Sequence, residues 1–453
     1  MTATDPSALT AAEFAGLMAG FEPFEPAPVI AVATSGGADS LALVLLAHGW
    51  ARVRAGRVVA LTVDHGLRPE SEAEARAVTG WLAGVGVEHV VLRWRAAKPA
   101  SGVQAAARAA RYALLESWCV TAGVLHLLLG HQIDDQAETY LMRRRRRAAG
   151  PGLAAMAPLV ERRGERLLRP LLGVAHARLE AMLRTSGQPW IEDPSNRDDR
   201  FERIVTRTAL ARYARRGWPA ARLVGLAADH GAARRVEEGR LSALLGAAVR
   251  VDPAGFATID PAAWTTVESA LRAQALGRVL TVIGGLAFPP AAASCHRLAQ
   301  AIEDARRSTT LGGCVIRPWR GTILIAREAR AARDVVPLGQ QPVMWDGRFA
   351  IEATTAVPDG LVVRRLGPDG AAQLRHAAHP AAHPAAKTWP AVVRWSLPAL
   401  WRLDEVRAVP HLGVNLLGTG LRELVRLRFQ PRQMLLAPHL ARPGEAFRHG
   451  GAC

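Results

Sequence analysis

The stretch VIAVATSGGADSLALVLLAH, from Val29 to His48, contains the transition that decides the fold. Residues 29–35 are mostly apolar, which favours a buried β-strand. Two glycines follow, and the sequence then becomes rich in alanine and leucine, which favours an α-helix. A strand that turns on glycines directly into a helix brings backbone N–H groups and a helix N-terminus to one point. This arrangement commonly binds phosphate.

The alternation of strand and helix continues to about Trp190. The pattern predicts strands at 29–35, 57–66, 87–94 and 124–131, with helices at 70–86 and 103–123. Repeated strand–helix–strand units of about 30 residues favour a parallel sheet covered by helices on both faces. The predicted fold class is therefore α/β, with a doubly wound parallel sheet.

The rest of the chain has a different character. Residues 207–307 are rich in Ala, Leu and Arg and predict a helical region, 310–328 predict a hairpin, and 332–345 predict a linker. Short strands are expected beyond Trp345. We therefore predict three domains: a catalytic domain at 1–212, a mainly helical domain at 213–325, and a mixed α+β C-terminal domain at 326–453.

The composition favours a polyanionic partner. Among 453 residues there are 57 Lys or Arg and 40 Asp or Glu, a formal net charge of +17. Only Lys98 and Lys387 are lysine, so a GC-rich coding bias is an alternative source of the arginines. Such a bias does not explain the excess over acids, and nucleic acid is the favoured partner class. The N-terminus lacks a basic leader and no apolar run is long enough for a membrane span, which predicts a cytoplasmic protein without membrane contact.

The residues of the SGGADS turn indicate its chemistry. Gly36 and Gly37 allow a sharp turn, the hydroxyls of Ser35 and Ser40 can donate hydrogen bonds, and the Asp39 carboxylate suits Mg²⁺. The lysine of a P-loop is missing, which excludes G-x-x-x-x-G-K-[ST]. The string resembles the loop of the N-type ATP pyrophosphatases, which grips the β- and γ-phosphates while the α-phosphate is attacked. The resemblance implies an adenine nucleotide alpha hydrolase-like domain, with ATP as substrate and Mg²⁺ as cofactor.

Three further motifs narrow the resemblance. They are LTVDHGLRPES (61–71), GHQIDDQAET (130–139) and WIEDPSNRDDRFERIVTR (190–207), the last preceded by LLRPLLG (167–173). Together with SGGADS, in this order over about 170 residues, they resemble the bacterial tRNA(Ile)-lysidine synthetases. Members of that family commonly carry D-H-G-L-R, G-H-H-x-D-D-Q-x-E-T and E-D-x-S-N-x-D-x-x-F-x-R-N-x-x-R at these places.

The resemblance implies a ligase and its partners. ATP would adenylate the C2 oxygen of the wobble cytidine in a tRNA(Ile) with a CAU anticodon, and pyrophosphate would leave. An amine of free L-lysine would then attack C2 and release AMP, giving lysidine. The family's tRNA-binding domain would be the helical region, and the C-terminal domain would contact the acceptor stem. No protein partner is implied.

The residues suit this chemistry, since two phosphoryl groups and a lysine ammonium must be neutralised and oriented. Asp39, Asp135 and Glu138 are placed around Mg²⁺ and the ammonium, with Asp39 and Asp135 as metal ligands. The predicted catalytic residues are Asp39, His131, Asp135, Glu138, Arg203 and Arg207. The predicted ATP-binding residues are Ser35, Gly36, Gly37, Ala38, Asp39, Ser40, Val63, Asp64, Arg108 and Gly130. By family analogy Gln104, Arg108 and Arg111 line the nucleotide or lysine pocket.

Two departures from the family motifs occur, and several residues have structural alternatives. Gln132 stands where the family has a second histidine, and the segment from Arg203 to Arg207 lacks the family's asparagine. Asp134 is favoured as a helix cap, and Asp193 is as compatible with a turn as with a site. Arg108 and Arg111 could be solvated helix positions. The run Arg143–Arg147 could end a helix in solvent, although RNA contact is favoured.

Three other functions compete. A tRNA thiolase on the same fold would need a nucleophilic cysteine pair or an iron–sulfur cluster. Cys119, Cys295, Cys314 and Cys453 form no C-x-x-C motif, and Cys119 falls within a predicted helix. A small-molecule amidating ligase would not require the basic charge, and an inactive RNA-binding module would not need to retain Asp39, Asp135 and Glu138.

Overall fold

The computed structural model describes residues 7–66, 70–99, 101–148, 150–162, 164–192, 202–302, 308–355, 357–376, 388–417 and 425–436. Its contacts divide the chain into two compact units, and the boundary falls between Val236 and Glu237. Each unit has its own sheets and hydrophobic cores.

The first unit is built on a six-stranded sheet. Its strands are β1 (Val29–Ala33), β2 (Arg57–Asp64), β3 (Glu88–Arg93), β4 (His126–Leu129), β5 (Leu159–Glu161) and β6 (Arg166–Leu168). Their order is β3-β2-β1-β4-β6-β5. All neighbours pair in parallel except β5 and β6, which form an antiparallel hairpin. The four predicted strands are present, and the β5–β6 hairpin extends the sheet beyond them.

Helices cover both faces of this sheet. On one face lie α1 (Ala11–Ala19), α2 (Ala38–Arg52), α3 (Ser71–Gly84) and, later in the chain, α6 (His176–Thr185), and on the other lies α4 (Val103–Ala122). A separate core is shared by α5 (Ile133–Arg145), α7 (Glu202–Arg215) and α8 (Ala220–Ala248), the last crossing the unit boundary. Successive side chains of β1 alternate between the faces, as the period of a strand requires. Ile30 and Val32 belong to the core beneath α2 and α6, whereas Ala31 and Ala33 belong to the core beneath α4. The predicted doubly wound α/β fold is confirmed.

The second unit combines antiparallel sheets with helices. Its strands are β7 (Val249–Asp252), β8 (Phe256–Ile259), β9 (Thr309–Leu311), β10 (Cys314–Trp319), β11 (Thr322–Arg327), β12 (Val336–Pro337), β13 (Val343–Trp345), β14 (Phe349–Ala353), β15 (Leu361–Arg365), β16 (Pro398–Arg402), β17 (Glu405–Val409), β18 (Val414–Asn415) and β19 (Val425–Phe429). They form sheets β7-β8-β11-β10-β9, β12-β15-β16-β17-β18 and β13-β14-β19. The helices are α9 (Pro261–Trp264), α10 (Ser269–Gly284), α11 (Ala292–Ala301), α12 (Gly367–His376) and α13 (Ala391–Trp395).

A buried ionic cluster connects parts of the second unit. The Asp346 carboxylate accepts hydrogen bonds from Arg327 at 2.7 and 3.0 Å and from Arg348 Nε at 2.7 Å. Arg348 is fully buried and also donates to the carbonyl oxygens of Gly255 and Ser396. Because each guanidinium has several acceptors, both charges are satisfied inside the core.

Two predictions about the second unit are wrong in detail. Residues 207–307 are not helical throughout, because β7 and β8 form a hairpin within them. Strands of four residues are too short to show a clear period, and β8 is fixed by pairing with the distant β11. The predicted linker at 332–345 contains β12 and β13, whose partners β15 and β14 lie later in the chain. The predicted hairpin at 310–328 is confirmed.

Glu165, in the β5–β6 hairpin, allows a prediction about stability. Its side chain is fully buried. Burial, together with the charge of Glu116, raises its pKa from 4.5 to about 7. The folded state therefore holds this proton more tightly than the unfolded state, and stability falls as the pH rises from about 4.5 to 7. Glu165→Gln removes that penalty, and we expect the variant to be about 2 kcal/mol more stable than the parent at pH 8 but not at pH 4.5.

Urea unfolding at the two pH values measures this difference. Glu161→Gln, an acid in the same hairpin with 36% of its side chain exposed, serves as the control and should change stability by less than about 0.5 kcal/mol at either pH. Equal effects of Glu165→Gln at both pH values would contradict the raised pKa.

Candidate active site

The turn between β1 and α2 lies at the carboxyl end of the parallel sheet. Gly36 has φ of +82°, a conformation that favours glycine, and Gly37 precedes the first residue of α2 with an extended backbone. No side chain caps this helix, whose first turn contains Ala38, Asp39 and Ser40. The first N–H groups of a helix have no acceptor within it, so the turn presents uncapped backbone donors at a positive helix end.

Ser40 braces the turn from inside. Its hydroxyl donates to the Gly37 carbonyl oxygen at 2.9 Å and accepts from the Thr34 hydroxyl and the Ser35 N–H, each at 3.1 Å. Ser35 Oγ lies 3.4 Å from Ser40 Oγ. Because a hydroxyl has a single hydrogen, the Ser40 hydroxyl has no further hydrogen to donate while it is bonded to the Gly37 carbonyl oxygen. A contact of Ser35 or Ser40 with phosphate stays a prediction.

Two neighbours press closely against the turn. The Ile191 N–H donates to the Gly36 carbonyl oxygen at 2.9 Å, which brings the first residues of the motif at 190–207 to the loop. A Cβ on Gly36 would lie 2.6 Å from Ile191 Cδ1, and one on Gly130 would lie 3.1 Å from the Asp39 carbonyl oxygen. The motif after β4 is therefore adjacent to the start of α2, and both glycines permit a close approach that a side chain would block.

Asp39 is held by a residue that the sequence analysis did not identify. His176 Nδ1 lies 2.7 Å from Asp39 Oδ1, and His176 Nε2 lies 3.1 Å from Glu180 Oε1. The hydrogen bond to Asp39 is the main cause that raises the pKa of His176 to about 9, so its ring carries a positive charge at neutral pH. No local pattern indicates this pair, because 137 positions separate the two residues.

The carboxyl end of β2 carries the second predicted motif. Val63 packs against the core beneath α4, and Asp64 Oδ1 accepts from the Gly66 N–H at 2.8 Å. Burial lowers the pKa of His65, and the charges of Arg111 and Lys98 add to this effect. Basic groups therefore converge beside Asp64, at the same edge of the sheet as the β1–α2 turn.

The N-terminus of α5 is closed by a reciprocal cap. The Gln132 side chain accepts from the Asp134 N–H at 2.6 Å, and Asp135 Oδ2 accepts from the Gln132 N–H at 3.1 Å. The prediction that Asp134 caps this helix is wrong, because Gln132 precedes it with an extended backbone and a longer side chain. Gln132, which stands where the family has a second histidine, thus supplies the cap of α5, and its N–H holds the Asp135 carboxylate.

The predicted acid Glu138 lies one turn further along α5. Its side chain is only 3% exposed. The neighbouring Gln136 is also buried and exchanges two hydrogen bonds of 2.8 Å with the Met156 backbone. Asp135 and Glu138 both lie in the first two turns of this helix.

The predicted pocket arginine Arg108 lies on α4 against an aromatic ring. Its guanidinium is 5.2 Å from the Tyr112 ring centroid, and Nη2 is 3.4 Å from the Tyr112 hydroxyl. Arg162 approaches the same ring at 5.1 Å. Gln104 and Arg108 are exposed, whereas Arg111 is partly buried. The structure therefore brings Arg111 towards His65, and brings Arg108 to Tyr112.

The five arginines Arg143–Arg147, in the last turn of α5 and just beyond it, do not form one uniform surface. Arg143 donates to the carbonyl oxygens of Gly152 and Ala155 at 3.0 and 2.8 Å, so it fastens the following loop. The remaining four, Arg144, Arg145, Arg146 and Arg147, are exposed.

Some predicted residues lie outside what the structure describes. These are the side chains of Arg203 and Arg207 on α7, together with the turn residue Asp193 and the last cysteine, Cys453. Their roles stay predictions.

The described cysteines do not suit nucleophilic chemistry. Cys119, Cys295 and Cys314 are all buried. Burial raises the pKa of Cys119 and of Cys314 to about 12, and it also raises the pKa of Cys295. Thiols with such pKa values carry almost no thiolate at neutral pH. These three residues therefore give no support to a thiolase.

Within the described part of the chain, no helix is both long enough and apolar enough to cross a membrane.

Comparison with known proteins identifies the family. Residues 11–214 match the family model described as a PP-loop domain. A tRNA(Ile)-lysidine synthase of Ruegeria pomeroyi is 39% identical over 348 residues, covering 76% of this chain and 81% of the relative. A tRNA(Ile)-lysidine synthase of Hyphomonas neptunium is 42% identical over 308 residues, covering 66% of this chain and 81% of the relative. Among solved structures, the U34-tRNA thiolase NcsA from Methanococcus maripaludis with its 4Fe–4S cluster gives a TM-score of 0.41 at 13% identity, covering 48% of this chain and 78% of that chain.

The resemblance seen in the four sequence motifs is thus confirmed by relatives aligned over four fifths of their own length. The chain belongs to the tRNA(Ile)-lysidine synthase family.

Proposed function

We propose that the protein joins free L-lysine to C2 of the wobble cytidine in a tRNA(Ile) with a CAU anticodon, at the expense of ATP. The observation that carries this proposal is the uncapped start of α2 behind Gly36 and Gly37, in a chain of the tRNA(Ile)-lysidine synthase family. The products are lysidine, AMP and pyrophosphate.

The β1–α2 turn is suited to the β- and γ-phosphates of ATP. The backbone donors of Gly37, Ala38, Asp39 and Ser40 lie at the positive end of α2, and no side chain competes for them. Gly36 and Gly37 leave room for phosphate oxygens to approach the backbone. Val63 and Asp64, at the end of the neighbouring strand β2, are assigned to the adenosine.

The acidic residues fit Mg²⁺ that is shared with a nucleotide. No group of three or more His, Cys, Asp or Glu side chains that could hold a metal is found in the described residues. Mg²⁺ often uses one or two carboxylates and completes its shell with water and substrate phosphates. Asp39 and Asp135, each in the first turn of a helix at this sheet edge, are the carboxylates that would hold it. When bound, Mg²⁺ offsets phosphate charge.

The reaction has two covalent steps. The C2 oxygen of the cytidine attacks the α-phosphorus of ATP, and the bond to the β-phosphate breaks. The lysine amine then attacks C2, the bond between C2 and the adenylate oxygen breaks, and the amine loses a proton. Asp135 and Glu138 are the carboxylates that we assign to hold the ammonium group and to accept this proton. His131 is assigned to contact the phosphates or to transfer protons.

Phosphate contacts are expected to supply a large share of the affinity for the RNA partner, given the net charge of +17. We assign the exposed Arg144, Arg145, Arg146 and Arg147 to the anticodon arm, because they lie at the C-terminal end of the helix that carries Asp135 and Glu138 and directly beyond it. Arg203 and Arg207 are assigned to phosphate or tRNA contact on the basis of the sequence motif. The regions 213–325 and 326–453 are assigned to further tRNA contacts, the second to the acceptor stem.

The arginine run gives a matched pair of variants. Arg144→Glu/Arg145→Glu is expected to weaken tRNA binding about tenfold at physiological salt, because two phosphate contacts become repulsive. Arg143→Ala is expected to leave two carbonyl oxygens without their charged donor, and to destabilise the first unit by about 1–3 kcal/mol. Filter binding over a salt series measures the first effect, and urea unfolding measures the second.

Each variant serves as the control for the other. Arg144→Glu/Arg145→Glu should leave the stability nearly unaltered, and Arg143→Ala should leave the tRNA affinity nearly unaltered. Unchanged tRNA affinity and an unchanged salt slope in Arg144→Glu/Arg145→Glu would remove these arginines from the RNA interface.

The activity is tested directly with purified protein, ATP, Mg²⁺, radiolabelled lysine and an unmodified tRNA(Ile) transcript with a CAU anticodon. Acid-precipitable label that depends on ATP and disappears with Asp39→Ala establishes the ligation. AMP formation with tRNA but without label would retain adenylation and exclude lysine as the nucleophile. Absence of both products with folded protein would contradict the proposed function.

A further inference from the structure

We propose that His176 is a positioning residue, which holds the Asp39 carboxylate in the orientation in which it meets Mg²⁺ and the ATP phosphates. The inference rests on the proposed function only in the use of ATP and Mg²⁺, and not in the identity of the nucleophile or of the RNA.

The contact is direct and specific. His176 Nδ1 and Asp39 Oδ1 are 2.7 Å apart. Within the part of the chain that the structure describes, His176 is the only side chain that hydrogen-bonds Asp39. A carboxylate that follows a glycine turn can otherwise rotate about its terminal bonds. A hydrogen bond to Oδ1 fixes the plane of the Asp39 carboxylate, so that Oδ2 points away from His176.

His176 is itself fixed from its other side. It is the first residue of α6, and its Nε2 lies 3.1 Å from Glu180, which is paired at 2.8 Å with Arg184. The three side chains stand four residues apart along one helix face. Leu179 and Leu183 on α6 are fully buried in the core shared with α2. The donor on α6 and the acceptor on α2 are therefore carried by two packed helices.

Both ring nitrogens of His176 face a carboxylate. Nδ1 lies 2.7 Å from Asp39 Oδ1 and Nε2 lies 3.1 Å from Glu180 Oε1, so the ring cannot turn without losing one of these contacts. Partners that orient metal-binding carboxylates in this way commonly change metal affinity or activity by about 10–100-fold when they are removed.

Two substitutions separate orientation from packing. His176→Ala removes the donor. His176→Asn keeps an N–H donor at the position of Nδ1, because its amide nitrogen is separated from Cα by the same number of bonds. The readout is Mn²⁺ binding by the full-length protein in the presence of a non-hydrolysable ATP analogue, followed by electron paramagnetic resonance, with Asp39→Asn as the reference for loss of the carboxylate. The rate of AMP formation as a function of Mg²⁺ concentration is measured alongside.

We expect His176→Ala to weaken Mn²⁺ binding about tenfold and to raise the Mg²⁺ concentration for half-maximal rate by a similar factor. His176→Asn should remain within about threefold of the parent protein in both measurements. Thermal unfolding of all variants checks the fold. A structural defect would lower the melting temperature of His176→Ala. Mn²⁺ binding would then not be restored selectively by asparagine at this position.

Three results would overturn the inference. Unchanged Mn²⁺ binding in His176→Ala would show that Asp39 needs no orientation. Tighter Mn²⁺ binding would show that His176 competes with the cation. Equal losses in His176→Ala and His176→Asn would show that the charge acts and not the hydrogen bond. Because Mn²⁺ binding requires neither lysine nor tRNA, a failure of lysine incorporation in the parent protein would leave this test intact.

Discussion

Replacing Asp39 by asparagine is expected to lower kcat/KM for lysine incorporation about 10³-fold, which corresponds to about 4 kcal/mol of lost transition-state stabilisation. The amide has nearly the same size as the carboxylate, and its oxygen still accepts from His176 Nδ1. The variant therefore retains a hydrogen bond to His176 in place of the 2.7 Å contact of the parent. It loses the negative charge that would hold Mg²⁺ beside the phosphates. Initial rates of label incorporation and of AMP release measure the loss.

The fold of this variant should be close to that of the parent. The Asp39–His176 pair is partly exposed, with 26% and 42% of the two side chains accessible, and such pairs contribute less than about 1 kcal/mol. Glu72→Gln is the matched control, because Glu72 also lies in the first turn of a helix on this sheet and 62% of its side chain is exposed. A rate for Asp39→Asn within about tenfold of the control would exclude Asp39 as the metal-binding carboxylate.

Features that depend on neighbouring residues were predictable from the sequence. The apolar run before Gly36 and the Ala/Leu pattern after Gly37 specify β1 and α2 locally. The repeated strand–helix pattern specifies parallel pairing, because each helix returns the chain to the end of the sheet at which the previous strand began. The three motifs that follow β1, β2 and β4 therefore meet at the carboxyl end of the sheet without any further assumption. This is the part of the site that the sequence predicts.

Features that depend on distant residues were not predictable in the same way. His176 contacts Asp39 only because α6 packs on α2, and Ile191 contacts Gly36 only because the chain returns after α6. The β7–β8 hairpin has strands of four residues, which are stabilised by pairing with β11 rather than by their own composition. Arg143 and Arg144 look equivalent in the run of five arginines. The carbonyl oxygens of Gly152 and Ala155 distinguish them, and this difference emerges only when the loop is folded.

Gly36→Ala is expected to reduce kcat/KM for ATP about 10²-fold while it destabilises the first unit by about 1–3 kcal/mol. Two separate causes contribute. The φ of +82° at Gly36 is unfavourable for any residue with a Cβ. The new methyl would also lie 2.6 Å from Ile191 Cδ1 and 2.9 Å from Val78 Cγ2. The loop must move away from α3 and Ile191, and the N–H groups at the start of α2 move with it.

Gly49→Ala is the control, because Gly49 lies within the same helix and nothing lies within 4 Å of the position of its Cβ. This change should stabilise the protein by about 0.5–1 kcal/mol and leave the kinetics unaltered, since alanine favours a helix interior. Adding Ile191→Ala to Gly36→Ala tests the closer of the two steric contacts. If crowding by Ile191 dominates, the double variant regains much of the lost kcat/KM. If it regains little, the backbone conformation or the remaining contact with Val78 Cγ2 dominates, because no substitution at Ile191 alters the φ at residue 36 or that contact. A Gly36→Ala variant as active as the Gly49→Ala control would show that the turn does not hold the phosphates.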